Sequence, residues 1–121
     1  MRIGFVYDLR DDYLAEGLSD LDVAEFDSRE TIDAVAAALE RAGGTVERIG
    51  RGRALAARLV AGDRWDLVFS IAEGLEGRSR EAQVPAVCEM FGQPCAFSDP
   101  LTMAATLDKA VAKRIVRDHG I

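Results

Sequence analysis

The chain predicts an α/β fold, an open and mainly parallel sheet of about four strands flanked by helices. Three observations carry that expectation. Compact apolar runs at Ile3–Tyr7 (IGFVY) and Leu67–Ile71 (LVFSI) read as central strands buried on both faces. Amphipathic helical stretches separate the strand-like runs, so successive strands lie parallel and are joined by right-handed crossovers. Glycine, proline and aspartate punctuate the boundaries at turn and capping positions.

Ile3–Tyr7 is the first strand, and a long acidic segment follows it. Asp27-Ser28-Arg29-Glu30 then offers Asp27 as N-cap with Glu30 three residues on, the pattern of a capping box that satisfies two orphan backbone donors. Ile32, Val35, Ala36 and Leu39 form one apolar stripe at helical spacing, and Gly43-Gly44 stops the helix. Thr45–Ile49 (TVERI) alternates and reads as a more exposed strand. Arg53–Val60 is the second helix, ending at Gly62. After Leu67–Ile71, a glycine-spaced loop leads into a third helix over Glu81–Phe91, which Gly92 closes. The Gly92-Gln93-Pro94 turn precedes a short fourth strand at Ala96–Phe97. Asp99-Pro100 starts the last helical region, with proline in the first turn, where its missing N–H is no loss. That region runs to His119-Gly120, and Asp108 can cap a second segment within it.

Composition narrows the function. A chain of 121 residues, 49% hydrophobic and 30% charged, suits one globular domain over 1–121. A formal charge of −6 argues against nucleic-acid and membrane-surface partners, because both require a basic face. No apolar run approaches the roughly 20 residues of a bilayer span, and the N-terminus carries no signal-peptide pattern. The expected location is cytoplasmic. Cys88 and Cys95 are too few and too badly spaced for a zinc site or a CxxC pair, and read as reduced core thiols.

In open α/β sheets, ligands bind beyond the carboxyl ends of the strands. Those ends are Tyr7-Asp8, Ile49-Gly50, Ile71–Gly74 and Phe97–Asp99. The 72–81 loop lacks GxGxxG, and no lysine follows its glycines as a Walker loop requires. Gly74 and Gly77 suit positive φ or close backbone approach. Glu73, just past a buried strand, suits a carboxylate that pairs with a cation. Arg78 and Arg80 suit bidentate binding of a carboxylate or phosphate, or else merely solvate a tight turn. Asp8–Asp27 is long for a βα connection, where roughly two to six residues are usual. It holds Asp8, Asp11, Asp12, Glu16, Asp20, Asp22, Glu25 and Asp27 against the single base Arg10. It reads as a flap offering carboxylates to an ammonium group or partner domain, or as a solvated acidic excursion. Asp8, Asp11, Asp12 and Lys109 invite comparison with a response-regulator receiver. That comparison fails, because Ser70-Ile71-Ala72 stands where the phospho-accepting aspartate belongs. His119 in a last helical turn reads as a capping residue favoured by the helix dipole, and Lys113, Arg114 and Arg117 as a solvated basic face.

Three segments in order carry a family resemblance. They are Ala24-Glu25 with Ser28 and a helix; Val68–Gly74 with the glycine loop and Gln83-Val84-Pro85-Ala86; and Phe97-Ser98-Asp99-Pro100 through Leu107-Asp108-Lys109 and Lys113. Together they resemble the N-terminal domain of the D-alanine–D-alanine ligases and their ATP-grasp relatives, over Met1–Ile121. The resemblance implies a Rossmann-like pre-ATP-grasp domain of a cytoplasmic, homodimeric ATP-dependent carboxylate–amine ligase. In that family a carboxylate is phosphorylated to an acyl phosphate, which an amine then attacks. ATP and Mg2+ are held mainly by two later domains. By position, Glu25 matches the acid that anchors the first substrate's ammonium, Lys109 a lysine contacting ATP phosphates, and Ser98 the turn near the substrate. Glu73-Gly74 stands in the His-Gly place, and Gly77-Arg78-Ser79-Arg80-Glu81 replaces an acidic-glycine loop. These departures leave the amino-acid-like substrate open between D-alanine and another amino acid or amine. The ATP-grasp domain is expected after residue 121, so this chain alone is expected to be inert, with no catalytic residue, no metal ligand and no tightly bound cofactor. The rival expectation is a non-catalytic α/β module that docks a protein partner through its acidic loop.

Overall fold

The computed structural model describes residues 1–121. Three strands, β1 (Arg2–Val6), β2 (Thr45–Gly50) and β3 (Leu67–Ser70), make one parallel sheet in the order β2-β1-β3. Ile3 lies opposite Val46 and Leu67, and Phe5 opposite Arg48 and Phe69, before the register with β2 shifts at Val6 and Gly50. The helices are α1 (Arg10–Ala15), α2 (Arg29–Arg41), α3 (Gly52–Val60), α4 (Gln83–Met90), α5 (Pro100–Leu107) and α6 (Lys109–Asp118).

Alternation along β1 builds two cores. Phe5 packs with Leu9, Ile32 and Ala36 beneath α2, whereas Val6 packs with Leu55, Leu59, Val68, Val84 and Cys88 beneath α3 and α4. The central strand is thus covered on both sides, as its unbroken apolar run requires. Burial of a residue such as Leu55 or Leu59 contributes about 1.5–3 kcal/mol. Gly4 lets Trp65 close over β1, because a Cβ there would stand 2.7 Å from Ile49 Cδ1 and 3.0 Å from the indole.

Several expected boundaries move. The fourth strand at Ala96–Phe97 does not form, and a single bridge joins Cys95 to Val68 instead. Val68 donates to the Pro94 carbonyl and Ala96 to the Val68 carbonyl, each at 2.8 Å. Pro94 has no N–H to extend the ladder, and Phe97 at φ 73 leaves the extended region at once. The α2 N-cap is Ser28 rather than Asp27, and its hydroxyl accepts the Thr31 N–H. Asp27 is held elsewhere, in a parallel bridge with Leu9. With Ser28 as cap, Thr31 occupies the position that a capping box gives to glutamate, so Glu30 falls out of place. The second helix starts at Gly52, and the third divides into a 3-10 turn at Arg80–Ala82 followed by α4. The last helical region does break at Asp108, whose carboxylate accepts from Ala110 and Val111.

The acidic segment is neither a free flap nor a purely solvated excursion. Tyr13, Val23 and Phe26 bury themselves in a small core of their own, and the Tyr13 and Phe26 rings lie 4.6 Å apart. Asp11, Asp12 and Asp20 face solvent around it.

Candidate functional site

A cleft of about 500 Å³ opens at the carboxyl edge of the sheet, between the start of α3 and the loop after β3. The chain winds from β1 to β2 on one side and reaches β3 on the other, so this edge is where the winding reverses. Alternation past β1 turns Asp8 toward the same face as Val6, into the cleft floor.

Asp8 is 2% exposed. Its Oδ1 accepts the Tyr13 hydroxyl at 2.5 Å, and its Oδ2 accepts the Gly74 N–H at 2.9 Å. One buried carboxylate therefore joins β1, α1 and the 72–80 loop, with both oxygens satisfied. Gly74 allows this because its φ is +71 and a Cβ would sit 2.8 Å from the Arg80 carbonyl oxygen. Burial, and then the hydrogen bond to Asp8, push the Tyr13 phenol above its ordinary pKa, which keeps the proton that Asp8 needs. Arg51 lies with Cζ 4.2 Å from the Tyr13 ring centroid and grips Glu16 through two bonds, of 2.8 and 3.1 Å. That grip holds the Glu16 carboxyl below the usual range.

A second cluster forms the rim. Arg80, which lines the cleft, donates to Glu25 at 2.5 Å. Glu73 is half-buried, and its carboxyl is raised to about 7. Burial is the main cause; the hydrogen bond and charge of Glu81 and the charge of Glu25 add to it, and Arg80 opposes it. A carboxyl poised there can hold or release a proton near neutral pH.

Of the residues singled out from the sequence, Gly74 lines the cleft, Glu25 pairs with the cleft residue Arg80, and half-buried Glu73 lines no part of it. Ser98 and Lys109 are exposed and line no part of it. Arg78 turns outward to Asp108, at 2.7 and 2.5 Å, and ties the loop to the α5–α6 junction. Cys88 is buried and Cys95 half-buried, and the influence of each thiol on the other pushes Cys88 up and draws Cys95 down. Tyr13 and Arg51 escaped the sequence reading, and Asp8 stood there only as one acid of the flap. Two signals pointed to them: Asp8 is the first acid after a buried strand, and Gly50-Arg51-Gly52-Arg53 sits at the carboxyl end of β2.

Neither a family model nor a solved structure matches the chain. A stretch of 55 residues, 46% of this chain, is 44% identical to a protein of Sinorhizobium fredii (strain NBRC 101917 / NGR234) named uncharacterized protein y4sG. The stretch spans 16% of that relative's length.

Proposed function

We propose that residues 1–121 form the substrate-binding, pre-ATP-grasp N-terminal domain of an ATP-dependent carboxylate–amine ligase resembling the D-alanine–D-alanine ligases. The observation that supports this reading is the Asp8–Gly74 bond, which fixes the backbone beside Glu73 at the sheet edge where Arg80 pairs with Glu25. Glu25 and Glu73 would then receive the ammonium group of an amino-acid-like substrate, D-alanine or another amino acid. Ser98, outside the cleft wall, would contribute only through the turn near the substrate.

ATP would supply the phosphoryl group that activates the carboxylate. Lys109 suits a contact with its phosphates as an exposed point charge, whereas the amides behind it are already taken by Asp108. Mg2+ would be held mainly by the later domains, through carboxylates and the nucleotide's phosphates. Chemistry in this reading needs those domains, and the chain alone is inactive.

The test is phosphate release from ATP by the full-length parent, with a panel of D- and L-amino acids. Stimulation by one class is expected, and Glu25→Gln with Glu73→Gln should raise its KM. No stimulation by any amino acid, or unchanged KM and kcat in the variants, would move the assignment to a docking module. Its support is the set of exposed acids Asp11, Asp12 and Asp20 on the ordered 10–27 segment.

A further inference from the structure

We propose that the cleft contains an oxyanion site formed by Arg51, Arg53 and Arg80, held closed by Glu16 and Glu25 until a small carboxylate- or phosphate-bearing ligand displaces them. This goes beyond the ligase reading and does not require it.

All three arginines line the same cavity. The two ion pairs that bind the acidic segment to it are unequal in a consistent direction. The Arg51 and Arg80 side chains are 29% and 26% exposed, whereas Glu16 and Glu25 are 52% and 65% exposed. The cations are thus built into the wall, Arg51 by the Tyr13 ring beneath it, and the anions reach them from solvent. Exposed pairs of this kind are weakly held, because water and side-chain entropy offset most of the Coulomb attraction. Arg53 makes no ion pair, so one positive charge at the cleft is already free.

An oxyanion entering the cleft would repeat the bidentate geometry that Glu16 now makes with Arg51. It would do so between Ala56, Val84 and Val87, where apolar walls strengthen the attraction and accommodate a carbon skeleton. Asp8 does not compete for these arginines, since Tyr13 and Gly74 occupy both its oxygens. Asp8 and Glu76 at the same cleft disfavour polyphosphates and other highly charged anions and favour a small ligand, best of all one that carries an amine beside its oxyanion. The acidic segment acts as a built-in substitute for the ligand.

Titration calorimetry on the 121-residue chain, with inorganic phosphate and with succinate as separate probes, tests this without ATP or turnover. Saturable binding of at least one probe is expected, with succinate the tighter if the ligand group is a carboxylate and phosphate the tighter if it is a phosphate. Removing the internal competitors in Glu16→Gln/Glu25→Gln should tighten binding about three- to tenfold, the range that loss of two exposed ion pairs implies. Asp11→Asn/Asp20→Asn makes the same change in net charge on exposed residues outside the cleft and should leave affinity unchanged. Far-UV circular dichroism checks that both variants keep the parent fold. Neither probe binding, the cleft variant binding no tighter, or the control tightening equally would each overturn the proposal.

Discussion

Asp8→Asn is the most informative single change, because it keeps the shape of the side chain and alters only its hydrogen bonding. The parent carboxylate receives two donors, the Tyr13 hydroxyl at 2.5 Å and the Gly74 amide at 2.9 Å, at a site 2% exposed. Bonds to a charged acceptor are each worth about 1.5–3 kcal/mol. Asparagine keeps one acceptor and turns an NH2 toward the other donor, so one bond is lost and a buried donor is left facing another donor. Relief from burying a charge offsets part of that loss. The net expectation is about 2–4 kcal/mol of destabilisation, against a total stability of about 5–15 kcal/mol for a domain. Urea unfolding followed by circular dichroism measures it, as a lower midpoint at unchanged m. Tyr13→Phe completes a double-mutant cycle, in which the two changes together should cost at least about 1 kcal/mol less than their sum. A loss below about 0.5 kcal/mol for Asp8→Asn, or no coupling in the cycle, would refute the buried-carboxylate junction.

Two further expectations follow from the titrating groups. Glu73 is raised from 4.5 to about 7 in the folded chain, so folding binds its proton more tightly; that stability is complete below about pH 4.5 and is lost as pH rises through about 7. Between pH 5 and 8 the parent should therefore lose more stability than Glu73→Gln, and parallel urea midpoints for the two proteins would contradict this. Cys95, drawn down by the Cys88 thiol, should react with iodoacetamide well before buried Cys88, and Cys88→Ala should slow it at neutral pH. Peptide mass spectrometry reads both rates, and Cys88 labelling first would reverse the assignment.

The fold was legible wherever a signal acts over a few residues. Ile3–Tyr7 appears as the central strand because burial on two faces demands an unbroken apolar run, whereas Leu67–Ile71, expected to be central as well, forms the half-buried edge strand β3. Asp99 and Asp108 appear as caps because each carboxylate needs only the amides two or three residues ahead. Local signals misled where the rest of the chain intervened. Asp27 and Ser28 are both good caps, and the bridge to Leu9 removes Asp27 from the choice. Cys95 meets Val68, yet the positive φ of Phe97 ends the pairing before a strand can grow.

The candidate site divides in the same way. That ligands belong at Glu73-Gly74, past a buried strand and among glycines, follows from the amino-acid order, since a parallel sheet puts every strand's carboxyl end on one edge. Which charges meet there does not. Gly74 reaches Asp8 across 66 positions and Arg80 reaches Glu25 across 55, and hydrogen bonds decay within an ångström or two whatever the separation in sequence. Propensity, periodicity and capping chemistry thus set the α/β alternation and its parallel sense. Only the packed chain decided that the acidic segment folds on its own small core and pairs with Arg51 and Arg80 of the cleft, because that outcome depends on where distant side chains come to rest.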